Sequence, residues 1–200
     1  MTMRQLHCIK RQSILCSVET AQGEVDMAER TGKGGTAVMD RPIDVESDPR
    51  IGRHDLIDLL NQDLAREYQA IITYVVYSQV LKGAEYMAIA KELEKHAAEE
   101  LNHALIIARQ IDYLGGMPNV TPRKVRVSED PREMLQFDLE NENETVRNYR
   151  ERVRQCEALG EYALAEHIRD ILMEEQQHQI DLASALGKEI PDITAVNERA

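Results

Sequence analysis

From Arg53 onward, apolar residues recur at alternating steps of three and four, the spacing that keeps them on one side of an α-helix. Four segments carry the pattern: 54–82, 84–114, 130–157 and 161–186. The first stripe reads Ile57, Leu60, Leu64, Glu67, Ile71, Tyr74, and the second Tyr86, Ile89, Leu93, His96, Glu100, His103, Ile107. The third reads Leu135, Leu139, Glu142, Val146, Tyr149, Val153, Cys156, and the fourth Leu164, Ile168, Ile171, Glu175, His178, Leu182. At a rise of about 1.5 Å per residue, each segment spans about 40 Å as a helix. Glycine and proline separate the segments, at Gly83, Gly115-Gly116, Pro118, Pro122, Pro131, Gly160, Gly187 and Pro191. Asp130-Pro131 with Glu133 forms a helix start. The breaks at Gly83 and Gly160 are too short for anything but antiparallel neighbours, whereas 115–129 is long enough to run the length of a bundle. The pattern predicts an all-α four-helix bundle over residues 51–187, built of two antiparallel helix hairpins joined by one long crossover. Residues 188–200 read as a short C-terminal tail. Residues 1–50 show no sustained periodicity and are expected to be a disordered tail. Gly32-Lys33-Gly34-Gly35-Thr36 lacks the spacing and the preceding strand of a phosphate-binding loop.

One level of the bundle breaks the apolar stripes. There each helix turns a glutamate inward: Glu67, Glu100, Glu142 and Glu175. The second and fourth helices add a histidine three residues later, on the same side, so Glu100-Leu101-Asn102-His103 and Glu175-Gln176-Gln177-His178 repeat one Glu-x-x-His motif. A single such motif is common on a solvated helix face. Two copies together with two further core-register glutamates, one acid per helix, are not. Burying one unpaired charge costs several kcal/mol or more. Two divalent cations resolve four such charges, and two neutral imidazoles complete the shell. Glu67, Glu100, His103, Glu142, Glu175 and His178 are therefore the candidate metal ligands and catalytic residues. Glu100 and Glu175 are placed to chelate or bridge, with Glu67 and Glu142 terminal. His96, one turn before Glu100, reads as a packed core histidine or an extra metal contact. Tyr74 reads as core packing, a hydrogen-bond partner for a ligand carboxylate, or an electron source. Glu140 and Glu144 read as solvated or iron-collecting residues, and His54 and His167 have no evident partner.

Composition sharpens this picture. The chain is rich in helix-forming Leu, Ala, Glu, Gln and Arg and contains one Phe and no Trp. Its net charge is −12, and residues 51–200 carry 17 basic against 28 acidic residues. An acidic body argues against nucleic acid as the main partner and is compatible with drawing in metal cations. No apolar run approaches the ~20 residues that span a bilayer, so no membrane partner is expected. Cys8, Cys16 and Cys156 show no pairing pattern, which points to a cytoplasmic location.

From about Leu56 to Leu186 the chain resembles the bacterioferritins. The resemblance is carried by Leu60-Asn61 through Glu67 to Tyr74, Glu100-Leu101-Asn102-His103-Ala104, and Leu114-Gly115-Gly116-Met117-Pro118-Asn119. Asp138-Leu139 through Glu142 and Ile171-Leu172 through Glu175 to His178 extend it. It implies a ferritin-like fold, two iron ions per subunit (manganese being the alternative), and oxidation of Fe(II) by O2 or H2O2. It also implies a homo-oligomeric shell that stores iron. Where bacterioferritins carry a haem-ligating methionine, this chain has Leu101, so haem is not expected by that route. The chain after Gly187 is short and interrupted by Pro191, so the fifth helix of large shells is expected to be absent or rudimentary, and a 24-subunit cage, a smaller cage and a dimer stay open. The rival functions are a non-storage di-iron or di-manganese peroxidase, oxidase or catalase, and a DNA-protecting mini-ferritin. The mini-ferritins usually lack the second Glu-x-x-His.

Overall fold

The computed structural model describes residues 51–193, and the expectations for residues 1–50 and 194–200 lie outside these. The described residues form four long helices and no strand: α1 (Arg53–Val80), α2 (Met87–Tyr113), α3 (Pro131–Ala158) and α4 (Tyr162–Leu186). The all-α bundle of two hairpins and a crossover is the architecture the stripes predict. Most helix ends fall within two residues of the expected ones, and the largest difference is at the start of the second helix. The second helix was expected from residue 84, but Ala84–Tyr86 form a single 3₁₀ turn, closed by Tyr86 N–H donating to Gly83 O (3.1 Å). The tight turn redirects the chain within three residues of α1's end.

Local chemistry sets the other ends. Asp130 caps α3, its carboxylate accepting from Arg132 N–H at 2.9 Å, with Pro131 in the first turn. Gly52 N–H donates to Asp55 Oδ2 (2.8 Å) at the start of α1. Gly115 and Gly160 end α2 and α3 with φ of +86° and +77°, a left-handed conformation that suits glycine. The following amides, Gly116 N–H and Glu161 N–H, reach back to Ile111 O (2.9 Å) and Cys156 O (2.9 Å), closing both helices in the same way.

The crossover runs along α1 in α1's own direction. Asn61 holds its start, accepting from Asn119 N–H (2.6 Å) and donating to Met117 O (3.2 Å). Arg123 N–H donates to Ala65 O (3.0 Å), Gln69 Nε2 to Lys124 O (2.8 Å) and Tyr77 Oη to Arg126 O (2.7 Å). This traverse delivers the chain to the end of the bundle where α1 finishes, so α3 runs antiparallel to α1. Arg126 then stacks on Phe137, 4.3 Å from the ring centroid, beside the α3 start.

Two apolar clusters fill the interior. One gathers Leu56, Leu60, Leu64, Ile107, Ile111, Cys156, Leu164 and Ile168 at one end. The other gathers Tyr77, Leu81, Leu93, Met134, Leu135, Leu139, Leu182 and Leu186 at the opposite end. In α1 the fully buried register runs through Leu56, and Ile57 of the expected stripe packs partly buried beside it. Between the two clusters lies a polar layer, capped at each end by apolar side chains.

Candidate metal centre

All six expected residues meet in that layer. Glu67, Glu100, His103, Glu142, Glu175 and His178 are each no more than 2% exposed. They form two overlapping groups, within each of which one ligand-type atom per residue lies within 4.8 Å of the others. One group is Glu67, Glu100, His103 and Glu175; the other is Glu100, Glu142, Glu175 and His178. Each hairpin thus contributes one acid, one Glu-x-x-His pair and a share in the other hairpin's group, because Glu100 and Glu175 belong to both.

The geometry follows a two-fold pattern. His103 Nδ1 lies 3.2 Å from Glu100 Oε2, 3.1 Å from Glu175 Oε1 and 3.5 Å from Glu67 Oε2. His178 Nδ1 lies 3.0 Å from Glu100 Oε1 and 3.5 Å from Glu175 Oε2. The outer nitrogens are braced across the bundle: His103 Nε2 on α2 meets Glu174 Oε2 on α4 (2.7 Å), and His178 Nε2 on α4 meets Glu99 Oε2 on α2 (3.0 Å). The phenols of Tyr149 and Tyr74 donate to Glu67 Oε1 and Glu142 Oε1 respectively. Of the open readings for Tyr74, the structure shows the hydrogen bond.

The inward atoms are left over. Glu67 Oε2, Glu100 Oε1, Glu142 Oε2, both oxygens of Glu175 and His178 Nδ1 are buried without a hydrogen-bond partner. The close approaches between His178 and Glu100 are misaligned for hydrogen bonding. Leaving a buried polar atom unmet costs about 1–3 kcal/mol, more for a charge, so this layer is unfavourable by itself. Burial, then the charges of Glu100 and Glu175, push Glu67 well above the usual carboxylate range. Glu142 is pushed up likewise by burial, Glu175 and Glu100. For Glu100 and Glu175, burial works in the same direction but the two imidazoles outweigh it and hold both acids low. Burial opposes protonation of His178, yet Glu100 and Glu175 raise it to about 12. His103 is raised in the same way, chiefly by Glu100. Burial and mutual repulsion thus disfavour a full set of charges in this layer without a compensating cation. The donor set, four carboxylates and two imidazoles converging from four helices with inward lone pairs unmet, fits a pair of divalent ions.

A small cavity of about 20 Å³ opens onto these acids between α1 and α3. Glu67, Glu100, Glu142 and Glu175 form its inner wall, and Thr145 and Glu144 its outer side. Glu144 is no free carboxylate: Arg66 and Arg123 donate to its Oε1 at 3.2 and 3.0 Å. Glu140 is likewise paired with Arg126 (2.8 Å), and His54 approaches Asp58 at 3.8 Å on the surface.

The fold and this layer define a four-helix bundle of the carboxylate–histidine class. The ferritin-like domain family matches residues 57–190. The chain is 30% identical to the bacterioferritin of Rhodobacter capsulatus over 143 residues, covering 68% of this chain and 89% of that protein. A ferritin-like di-iron carboxylate protein of Bacillus anthracis str. Ames superposes with a TM-score of 0.65 at 34% identity, covering 70% of this chain and 99% of that one. A dodecameric thioferritin of Bacteroides fragilis, described as a bacterioferritin-related protein, superposes at 0.64 with 28% identity, covering 68% and 87%. The chain belongs to the bacterioferritin/ferritin-like di-iron family.

Four residues of the layer escape the stripe analysis. Glu99 and Glu174, the braces, each stand directly before the motif glutamate, so the doubled motif is in full Glu-Glu-x-x-His. The repeated extra acid was the available signal. Asp63 and Asp138, each four residues before the inward glutamate of its helix, are both 1% exposed. The same number of residues separates Asp63 from Asp138, Glu67 from Glu142, Tyr74 from Tyr149 and Glu100 from Glu175. The two hairpins are two readings of one pattern.

Proposed function

We propose that the chain oxidises Fe(II) at a two-metal site formed by Glu67, Glu100, His103, Glu142, Glu175 and His178, and stores the product within a homo-oligomer. The observation that carries this reading is the set of unpartnered, inward carboxylate oxygens and His178 Nδ1 in a layer capped by two apolar clusters. Oxygen-rich ligation supplies the chemistry, because hard carboxylates favour Fe(III) over Fe(II). Two Fe(II) ions release one electron each. One O2 takes up both electrons with two protons and leaves as H2O2, or one H2O2 takes them with two protons and leaves as two waters.

The remaining steps belong to the chain. Glu100 and Glu175 belong to both ligand groups and would be the residues shared between the two ions. Glu67 and Glu142 each hold one carboxylate oxygen inward while a tyrosine occupies the other. Glu99 and Glu174 fix the imidazoles so that Nδ1 faces the centre. Loading cations displaces the protons that the histidines and the raised carboxyls hold, so affinity rises with pH. The cavity beside Thr145 has room for one water-sized molecule and marks the side from which a small oxidant would approach the acids. Manganese in place of iron is the alternative occupant of the same ligands.

Self-association is supported by exposed apolar side chains on the first hairpin. Ile72 and Val75 on α1, and Leu101 and Leu105 on α2, are 41%, 52%, 52% and 58% exposed. The dodecameric assembly named for the Bacteroides fragilis relative points the same way.

Stopped-flow mixing of the metal-free protein with Fe(II) and O2 tests the activity. The E100A and E175A variants are each expected to abolish rapid oxidation. Wild-type rates in both would remove these residues from the centre.

A further inference from the structure

We propose that Glu92, His96 and Asp181 form a third, exchangeable divalent-cation site on the α2–α4 side of the bundle, which passes cations to the buried centre through Glu99 and His178. The proposal rests on the two-metal reading above and adds an entrance to it.

His96 lies one helical turn before Glu100 and is completely buried. Its Nε2 lies 3.3 Å from Asp181 Oδ2, and its Nδ1 meets no partner. The ring packs edge-to-face on Tyr74, 5.4 Å between centroids, but packing alone does not call for a polar side chain. In the second hairpin the same position, one turn before Glu175, is Ile171, which is 1% exposed in the apolar core. A buried imidazole with an unmet nitrogen carries a polar cost that isoleucine avoids.

The surrounding residues orient this ring toward a cation position. Gln177 Nε2 donates to Asp181 Oδ1 (2.9 Å), which turns Oδ2 toward His96. One ligand-type atom from each of Glu92, His96 and Asp181 lies within 4.8 Å of the others. One imidazole and two carboxylates suit a divalent transition-metal ion. Asp181 and Glu92 are partly open to solvent, with side chains 25% and 47% exposed, so an ion held there retains open positions and exchanges readily. The Lys95 ammonium, 3.9 Å from Glu92 and 3.5 Å from Glu99, competes at the rim and keeps the site weak.

Inward of this cluster, His96, Glu99 and His178 form another group with atoms within 4.8 Å. The His96 and His178 rings lie 4.0 Å apart, centroid to centroid. His178 faces both ways: Nε2 meets Glu99 at 3.0 Å, while Nδ1 lies 3.0 Å from Glu100 in the centre. Three ligand groups therefore overlap in series. His96 is shared by the first two, and His178 by the last two. A cation moving inward exchanges one histidine and its carboxylate partners at each stage.

The test uses the full chain, with Zn(II) as the probe in equilibrium dialysis followed by metal analysis. Wild type is expected to hold three ions per chain, the third at least about tenfold weaker than the other two. H96I and D181N should each lose the third ion and keep two. D181N alters a partly exposed residue, so it decides the matter even if H96I folds poorly. An E100A/E175A double variant should retain one ion, which D181N then removes. Two ions in wild type, unchanged by D181N, overturn the third site and leave the two-metal reading standing. A stoichiometry indifferent to E100A/E175A overturns the relay together with that reading. Transit is tested with Fe(II) below saturation: D181N should slow oxidation several-fold while still oxidising two ions per chain, and a wild-type rate overturns the transfer step.

Discussion

Asp63 and Asp138 hold equivalent places in the two hairpins and meet opposite fates. Asp63 accepts from Arg152 Nε (2.7 Å) and Arg66 Nη2 (2.7 Å). Burial tends to raise its carboxyl, but the charges of Arg152 and then Arg66 outweigh burial and hold it below its ordinary value of 3.8. Asp138 has no hydrogen-bond partner on either oxygen, and burial, followed by the charge of Glu100, drives its carboxyl well upward. Substituting Asp63 by Asn leaves Arg152, itself 3% exposed, as a buried charge without its anion. The expected loss is about 3–5 kcal/mol in denaturant unfolding at neutral pH. Because the folded-state value is depressed, this stabilisation is fully present above about pH 4 and fades as pH falls further. The gap in Tm between wild type and D63N should therefore be full at pH 6 and shrink in acid; a gap independent of pH would remove the ion pair as its cause. D138N breaks no ion pair or hydrogen bond, so it should cost no more than about 1 kcal/mol in the same measurement. The hydrophobic stripe could not separate the two aspartates, because the difference lies in which side chain the facing helix presents: Arg152 to Asp63, with no corresponding donor for Asp138.

At the scale of helices and turns, the three-and-four periodicity carried most of the information. It located four helices and both tight hairpins because each helix buries one continuous stripe, and burial of that stripe is what holds a bundle together. It also placed all six inward polar residues, since a helix fixes the direction of each side chain relative to its neighbours on the stripe. Glu99 and Glu174 were out of its reach. They sit beside the stripe, and their partners lie on another helix, so their role depends on the axial register of α2 against α4. The crossover was legible only as a length. Its path depends on Asn61, Gln69 and Tyr77 offering side-chain partners along α1 to backbone groups that no regular structure satisfies. Gly116 shows how closely that path is packed. A Cβ there would stand 2.5 Å from Ile57 Cγ2 and 3.1 Å from Ile111 Cγ2. G116A should cost about 1–3 kcal/mol of stability by forcing α1 and the crossover apart, and an unchanged urea midpoint would contradict that packing.

For the molecule as a whole, the exposed apolar residues of the first hairpin set the prediction for assembly. The double substitution L101E/L105E places two charges on that face while leaving the interior stripe of α2 intact. It should reduce the particle mass in light scattering with the helical signal unchanged, whereas an unaltered mass would exclude this face from the interface. The arrangement of the polar layer has a mechanical consequence as well. The acids of the two hairpins face each other across one plane, and each histidine is braced by the opposite hairpin. That plane is a fault line in the metal-free molecule: its unmet charge works against the two apolar clusters that hold the hairpins together. Filling the plane with cations welds it shut. Backbone amides on all four helices flanking the layer should then slow together in hydrogen exchange as metal is added, while those at the outer ends of the bundle change little. On the proposed function, the ions that the centre would oxidise would also act as the rivets of the fold, and the metal-free protein would be looser than the loaded one.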